Sequence, residues 1–201
     1  MPAKLLTKCV GVGNEFLRRL GRLMAKYLIS AGHGAGDPGN TANGRREADI
    51  CLELRDIVAL KLRQLGHDVI TDGRAKENWA LTKAMQLIGL GRTSIELHTN
   101  AASDPLARGV ETVAQPKDKA LAQRISAAIA STLGTVTRRE GGFMDGATVK
   151  KERGFYPGFV RAGGLIVEVF FQSNKQELAA FDARKWLVAT AIVKALTGGK
   201  A

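Results

Sequence analysis

From residue 26 onward, short apolar runs alternate with stretches whose apolar residues recur at helical spacing. That alternation is the pattern of strands laid side by side under a layer of helices. Residues 27–30, 67–71, 94–98, 110–114 and 165–170 read as strands. Residues 47–65 carry Ile50, Cys51, Leu54, Ile57, Val58, Leu62 and Leu65 on a helical repeat, with Gly66 as the stop. Residues 78–90 and 118–133 read as further helices, the second closed by Gly134, and the span from Asn174 to Glu177 opens a last helix with capping-box spacing. The expected fold is α/β: a single three-layer domain with a mixed, mostly parallel twisted sheet flanked by helices. Residues 135–163 show no clear period and are rich in glycine, so a long loop is expected there, beside the site.

With 201 residues, the chain suits one domain with a short appendage. Hydrophobic residues at 45% and charged residues at 24% are the balance of a globular protein. Residues 1–26 differ from the rest. They hold six cations against Glu15 alone and several glycines, which marks a basic N-terminal extension before a folded domain at 27–201. The net charge of +11 calls for a polyanionic partner such as nucleic acid, anionic lipid or an acidic envelope polymer. Aromatic residues are only 5% and no reading motif stands out, which argues against specific nucleic-acid binding.

Cys9 and Cys51 form neither a disulfide framework nor a thiolate metal site, and Cys51 falls on the buried face of its helix. No apolar run is long enough for a transmembrane helix. Asn14, Glu15, Arg18 and Arg19 interrupt what a secretory signal would keep apolar, so synthesis in the cytoplasm without a signal peptide is expected.

Three potential ligands and one isolated carboxylate fall at element ends: His33 after the first strand, Glu47 opening the long helix, His98 closing a strand, and Glu168 inside LIVEVFF. Carboxyl ends of strands are where ligands gather in open α/β sheets. Two histidines and a carboxylate form a common catalytic zinc set. Glu168 breaks an otherwise apolar run, a costly placement unless something pairs with it, and a free carboxylate there suits proton transfer. Taken singly, each has a plainer reading. His33 could serve only a turn, Glu47 the helix dipole, His98 nothing, and Glu168 a buried arginine. The loop GHGAGDPG lacks the GK[ST] ending of a phosphate loop.

Four blocks in order resemble one family: SAGHGAGDPGN, RRE around Glu47, ELHTNA around His98 and VEVFFQSN around Glu168. They are similar to the corresponding blocks of the zinc-dependent N-acetylmuramoyl-L-alanine amidases of the amidase-3 type, and the resemblance runs from about residue 27 to the C-terminus. It implies Zn2+ held by His33, Glu47 and His98, with Glu168 catalytic. The implied reaction is cleavage of the amide between the muramic acid lactyl group and L-alanine in bacterial peptidoglycan. RGVET resembles the family's GVE strand and bears on the fold more than on the chemistry.

Glu96 departs from the serine common at its position. Strand alternation puts it on the side of His98, either orienting that histidine or pairing with a surface cation. His67 matches no ligand and is expected to be an ordinary residue before a strand. Small size, positive charge and the lack of a visible export signal are those of an endolysin from a phage of Gram-negative hosts. Such a protein would wait in the host cytoplasm until lysis, act as a monomer on the wall in the periplasm, and meet the anionic envelope through its basic surface. The competing expectations are a related zinc peptidase or amidohydrolase acting on another amide, and a non-catalytic basic protein that binds cell wall or nucleic acid.

Overall fold

The computed structural model describes residues 24–89 and 92–199. The first 23 residues, most of the expected basic extension, lie outside the described residues. In chain order the strands are β1 (Lys26–Ala31), β2 (Thr41–Ala42), β3 (Arg45–Arg46), β4 (Asp68–Thr71), β5 (Thr93–Asn100), β6 (Glu111–Ala114), β7 (Phe143–Asp145) and β8 (Leu165–Phe171). Six of them form one sheet in the order β4-β1-β5-β8-β6-β7, and β2 and β3 pair separately as a small hairpin. The β1–β4, β1–β5, β5–β8 and β6–β7 pairs are parallel, whereas β6 runs antiparallel to β8. The sheet is therefore mixed and mostly parallel, as the alternating pattern predicts.

The helices are α1 (Glu47–Gln64), α2 (Leu81–Met85), α3 (Lys119–Leu133), α4 (Gly146–Arg153), α5 (Gly158–Arg161) and α6 (Lys175–Thr197). In α1 the repeating apolar residues Ile50, Leu54, Ile57, Val58 and Leu62 are buried. Its acids Glu47 and Asp49 sit in the first turn and Lys61 and Arg63 in the last, each matching the local end of the helix dipole. Gly66, with φ of 82°, takes the left-handed conformation that turns the chain away.

At the start of α6 the Asn174 side chain accepts from the Gln176 and Glu177 amides at 2.9 and 3.2 Å, which completes the expected cap. The reciprocal half of a capping box does not form. The Glu177 carboxylate instead accepts from the amides of Gly109 and Phe171 at 2.9 and 2.7 Å, tying the helix to β8 and to the approach of β6.

Helices α1, α3 and α6 share one core with the sheet side chains Ile29, Ile95, Leu97, Val167 and Val169. Because side chains alternate along a strand, Glu96, His98, Ile166 and Glu168 point to the opposite face. There α4 and α5 contribute to a smaller cluster of Val113, Met144, Val149 and Val160. The polar half of the strand pattern thus falls where the covering layer is thin, and a cleft is left open.

Two expectations are corrected. The helix expected over 78–90 is a single turn, α2, because Trp79 pairs its amide with the Asp72 carbonyl and the Asn78 side chain is drawn into the loop after β1. Residues 135–163, expected as a long loop, hold β7, α4 and α5. Short elements of this kind carry too few turns to show a period; α4 is set by its Asp145 cap, which accepts from the Ala147 amide at 2.9 Å.

Candidate active site

His33 stands just beyond β1 with φ of 65°, a left-handed conformation that a non-glycine residue adopts only under constraint. The constraint is visible. Asn78 Nδ2 donates to the carbonyls of Ala31, Gly32 and His33 at 3.3, 3.3 and 2.8 Å. The loop that carries Asn78 is clasped in turn by Arg55 of α1, which is fully buried. Its guanidinium donates to the Asp72 carboxylate at 3.0 Å and to the carbonyls of Arg74 and Glu77 at 2.8 Å each. Asp72 accepts from the Ala31 amide at 3.2 Å, closing the frame around the end of β1. Gly32 completes it, because a Cβ there would lie 2.4 Å from the His98 ring.

Glu47 enters from the first turn of α1, after the β2–β3 hairpin, and is 1% exposed. One carboxylate oxygen accepts from the Thr99 amide at 2.9 Å and faces His98 Nδ1 at 3.2 Å. The other accepts from the Asn40 amide and side chain at 3.0 and 2.9 Å and faces His33 Nε2 at 3.1 Å. The imidazoles stand edge-on with centroids 5.0 Å apart. Each has a second carboxylate at its remote nitrogen: Asp37 at 2.8 Å from His33 Nδ1, and Glu96 at 3.1 Å from His98 Nε2. One ligand atom each from His33, Glu47 and His98 lies within 4.8 Å of the others. Two imidazole nitrogens and one carboxylate, each histidine backed by a carboxylate, make a donor set that fits a catalytic zinc ion.

Charge within this cluster is strongly coupled. Hydrogen bonding to Glu47 raises the His33 pKa above its ordinary value despite burial. Burial works to lower that of His98, but the bonds to Glu47 and Glu96 prevail and hold it well above the ordinary value. Burial likewise works to lift Glu47, yet the bonds from His33 and His98 leave it below the carboxylate range.

Glu168 behaves oppositely. Burial pushes its carboxyl up to about 7, with the charges of Glu47 and Glu111 adding to the rise and that of His98 opposing it. Its Oε2 is buried with no hydrogen-bond partner among the described residues. In register it pairs with His98 on one side and with Glu111 on the other. A cleft of about 470 Å³ brings all four sequence-selected residues together, with Leu81, Arg153 and Phe155 also lining it.

The family model for N-acetylmuramoyl-L-alanine amidases matches residues 28–198, nearly the whole described chain. This chain belongs to that family. A family protein of known structure, described as an N-acetylmuramoyl-L-alanine amidase from Neisseria meningitidis, is 37% identical, with 86% of this chain and 93% of that one covered at a TM-score of 0.77. The catalytic domain of the CwlV amidase from Bacillus (Paenibacillus) polymyxa shares the fold at 24% identity and a TM-score of 0.72, with 87% of this chain and 97% of that one covered. The catalytic domain of an endolysin targeting Clostridia difficile does so at 21% identity and 0.63, with 88% and 99% covered. No curated protein sequence gives a significant match.

The amidase-family site also contains residues that sequence reasoning did not select. Asn78 sits in a segment expected to be helical. Asp37 lies four residues after His33 in a loop where an acid has many ordinary uses. Glu111, placed with the fold by its GVE motif, lies across the ladder from Glu168 and accepts from Asn100 Nδ2 at 3.0 Å. The signal for it was present, since an acid within an apolar strand raises the same question as Glu168. Conversely, His67 stays away from the cluster, accepting from the Ala25 amide and packing edge-on against Tyr27.

Proposed function

We propose that this chain is a zinc-dependent peptidoglycan amidase that hydrolyses the bond between the lactyl group of N-acetylmuramic acid and L-alanine. His33, Glu47 and His98 would hold the metal, and Glu168 would move the proton. The observation that carries the reading is the arrangement of a two-histidine, one-carboxylate donor set beside a separate, unpaired carboxyl in one cleft.

When bound, zinc supplies Lewis-acid polarisation of the amide carbonyl and makes water a better nucleophile near neutral pH. Glu47 would bring one negative charge to the ion, and it is locked in place by Asn40 and Thr99. Glu168, with its carboxyl at about 7, is poised between protonation states at the working pH of a general acid and base. Its carboxylate takes a proton from the attacking water and returns it to the nitrogen of L-alanine as the C–N bond breaks. Leu81 and Phe155, both exposed, offer apolar surface to the lactyl and sugar carbons. Arg153 offers a cation to the carboxylates of the stem peptide.

The lysis role fits an endolysin acting on the wall from the periplasmic side, a reading supported by the likeness to an endolysin catalytic domain and by the net charge of +11. The test is mass spectrometry of purified peptidoglycan digested by zinc-replete protein, with a chelated sample beside it. Stem peptides with a free N-terminal L-alanine, lost on chelation and restored by zinc, are expected. Intact sacculi with folded, zinc-loaded protein would reject the reading, and fragments cut at another amide would move it to a related amidohydrolase.

A further inference from the structure

Glu96 is a carboxylate only 3% exposed, in a chain with 30 lysines and arginines, yet its ion-pair partner among the described residues is a histidine and not one of those cations. It lies two residues before His98 on β5, so the pleat sends both side chains to the cleft face. Its Oε2 is 3.1 Å from His98 Nε2, while the other ring nitrogen, Nδ1, faces Glu47 at 3.2 Å. His33 is bracketed the same way, but its outer partner Asp37 is well exposed and sits on a loop. Only on the His98 side is the outer carboxylate buried and carried by a strand.

We propose that Glu96 is the positioning residue for His98: it accepts the Nε2 proton, and so fixes the tautomer and ring orientation that present the Nδ1 lone pair to the His33–Glu47 cluster. The inference rests on reading that cluster as a metal site. A neutral imidazole carries one proton, and a ligating nitrogen must be bare, so the proton has to reside on the other nitrogen. Both ring nitrogens face a carboxylate, but Glu47 Oε1 already accepts from the Thr99 amide, so in the neutral ring the proton goes to Nε2 beside Glu96. With serine, the residue common at this position in the family, a shorter side chain would leave the ring to be oriented by other means. The Glu96 carboxylate, itself only 3% exposed, gives the ring a fixed partner on the strand.

The test compares wild type with Glu96→Ala and Glu96→Gln. Zinc affinity is measured by competition with a chromophoric chelator, and the His98 tautomer by long-range proton–nitrogen correlation spectra of the ring in zinc-free and zinc-loaded protein, at a pH high enough for the zinc-free ring to carry a single proton. Wild type should show the proton on Nε2 in both states. Glu96→Ala should lose about 10- to 100-fold in zinc affinity and show mixed tautomers in the zinc-free protein. Glu96→Gln keeps an acceptor oxygen and should stay within a few-fold of wild type. Wild-type affinity and an unchanged tautomer in Glu96→Ala would overturn the proposal. So would an equal loss in both variants together with an altered absorption spectrum of the cobalt-substituted protein, since that would make Glu96 a ligand. If wild type itself binds no zinc, the metal reading fails first, and the zinc-free tautomer spectra still decide whether Glu96 orients the ring.

Discussion

His98 and Glu168 are register partners across the parallel ladder between β5 and β8, so a candidate ligand and a candidate acid–base group are set side by side by backbone hydrogen bonding alone. Rigid neighbouring strands hold such a pair more closely than loops can. The same ladder turns Leu97 and Val167 into the core, which means that a one-residue slip would bury the charged pair and expose the apolar one.

Replacing Glu168 with Gln should reduce wall cleavage by about 10²- to 10⁴-fold, the usual worth of a general acid–base group, while zinc content stays the same. The metal-free variant should also respond differently to pH. The folded carboxyl is pushed up to about 7 from an ordinary value of 4.5, so the folded state keeps a proton that the unfolded chain has given up. Wild-type stability therefore falls as pH rises from 4.5 through 7, and Glu168→Gln removes this loss. Above pH 7.5 the variant should be more stable by on the order of 2 kcal/mol; denaturant melts at pH 5 and 8 would show the gap opening only at the higher pH.

His98→Ala and Glu47→Ala should both lose bound zinc on dialysis, as read by elemental analysis. Both should also be less stable in the metal-free state. Removing the Glu47 carboxylate strands the Thr99 amide and the Asn40 donors, each worth about 1–3 kcal/mol when left buried and unpaired. His98→Ala in turn leaves the buried Glu96 without its ion-pair partner, so both variants should unfold earlier in denaturant than wild type.

Zinc affinity should weaken steeply as pH falls. His33 and His98 both hold their protons more tightly than ordinary histidines in the metal-free protein, and the ion must displace them. Calorimetric titrations in buffers of different ionisation enthalpy at pH 6.5 should show more than one proton released per zinc. Zero release would contradict the protonated cluster.

Asn78→Ala removes three hydrogen bonds to successive carbonyls and with them the restraint on the left-handed His33. The expected result is a loss of about 1–3 kcal/mol in stability and a weaker grip on zinc. Asn78→Asp, which cannot donate, should behave like the alanine variant.

Arg55→Leu leaves Asp72 as a buried, unpaired charge and should destabilise by about 3–5 kcal/mol. Adding Asp72→Asn should recover part of that loss, so the two changes will not be additive in a double-mutant cycle.

Strands, the long helix and the four candidate site residues were legible in the sequence because each depends on a local regularity. The apolar repeat of α1, the alternation in β5 and β8, and Gly66 and Gly134 as helix stops are dictated by neighbouring residues. An acid lodged in LIVEVFF announces itself against its surroundings. The segment from 135 to 163 gave no such signal, since β7 has three residues and α5 four, too short for periodicity, and their shape comes from packing on β6 and β8.

What the sequence determined alone is therefore the elements and the kinds of chemistry available: two histidines, a helix-start glutamate and a lone strand carboxylate. Only the tertiary structure decided which groups meet. The frame of Arg55, Asp72 and Asn78 that holds His33, the partnership of Glu96 with His98, and the placing of Glu111 beside Glu168 join residues from separate elements. Those contacts follow from strand order and register, which arise from how the whole sheet buries its apolar face and which no short window of sequence encodes.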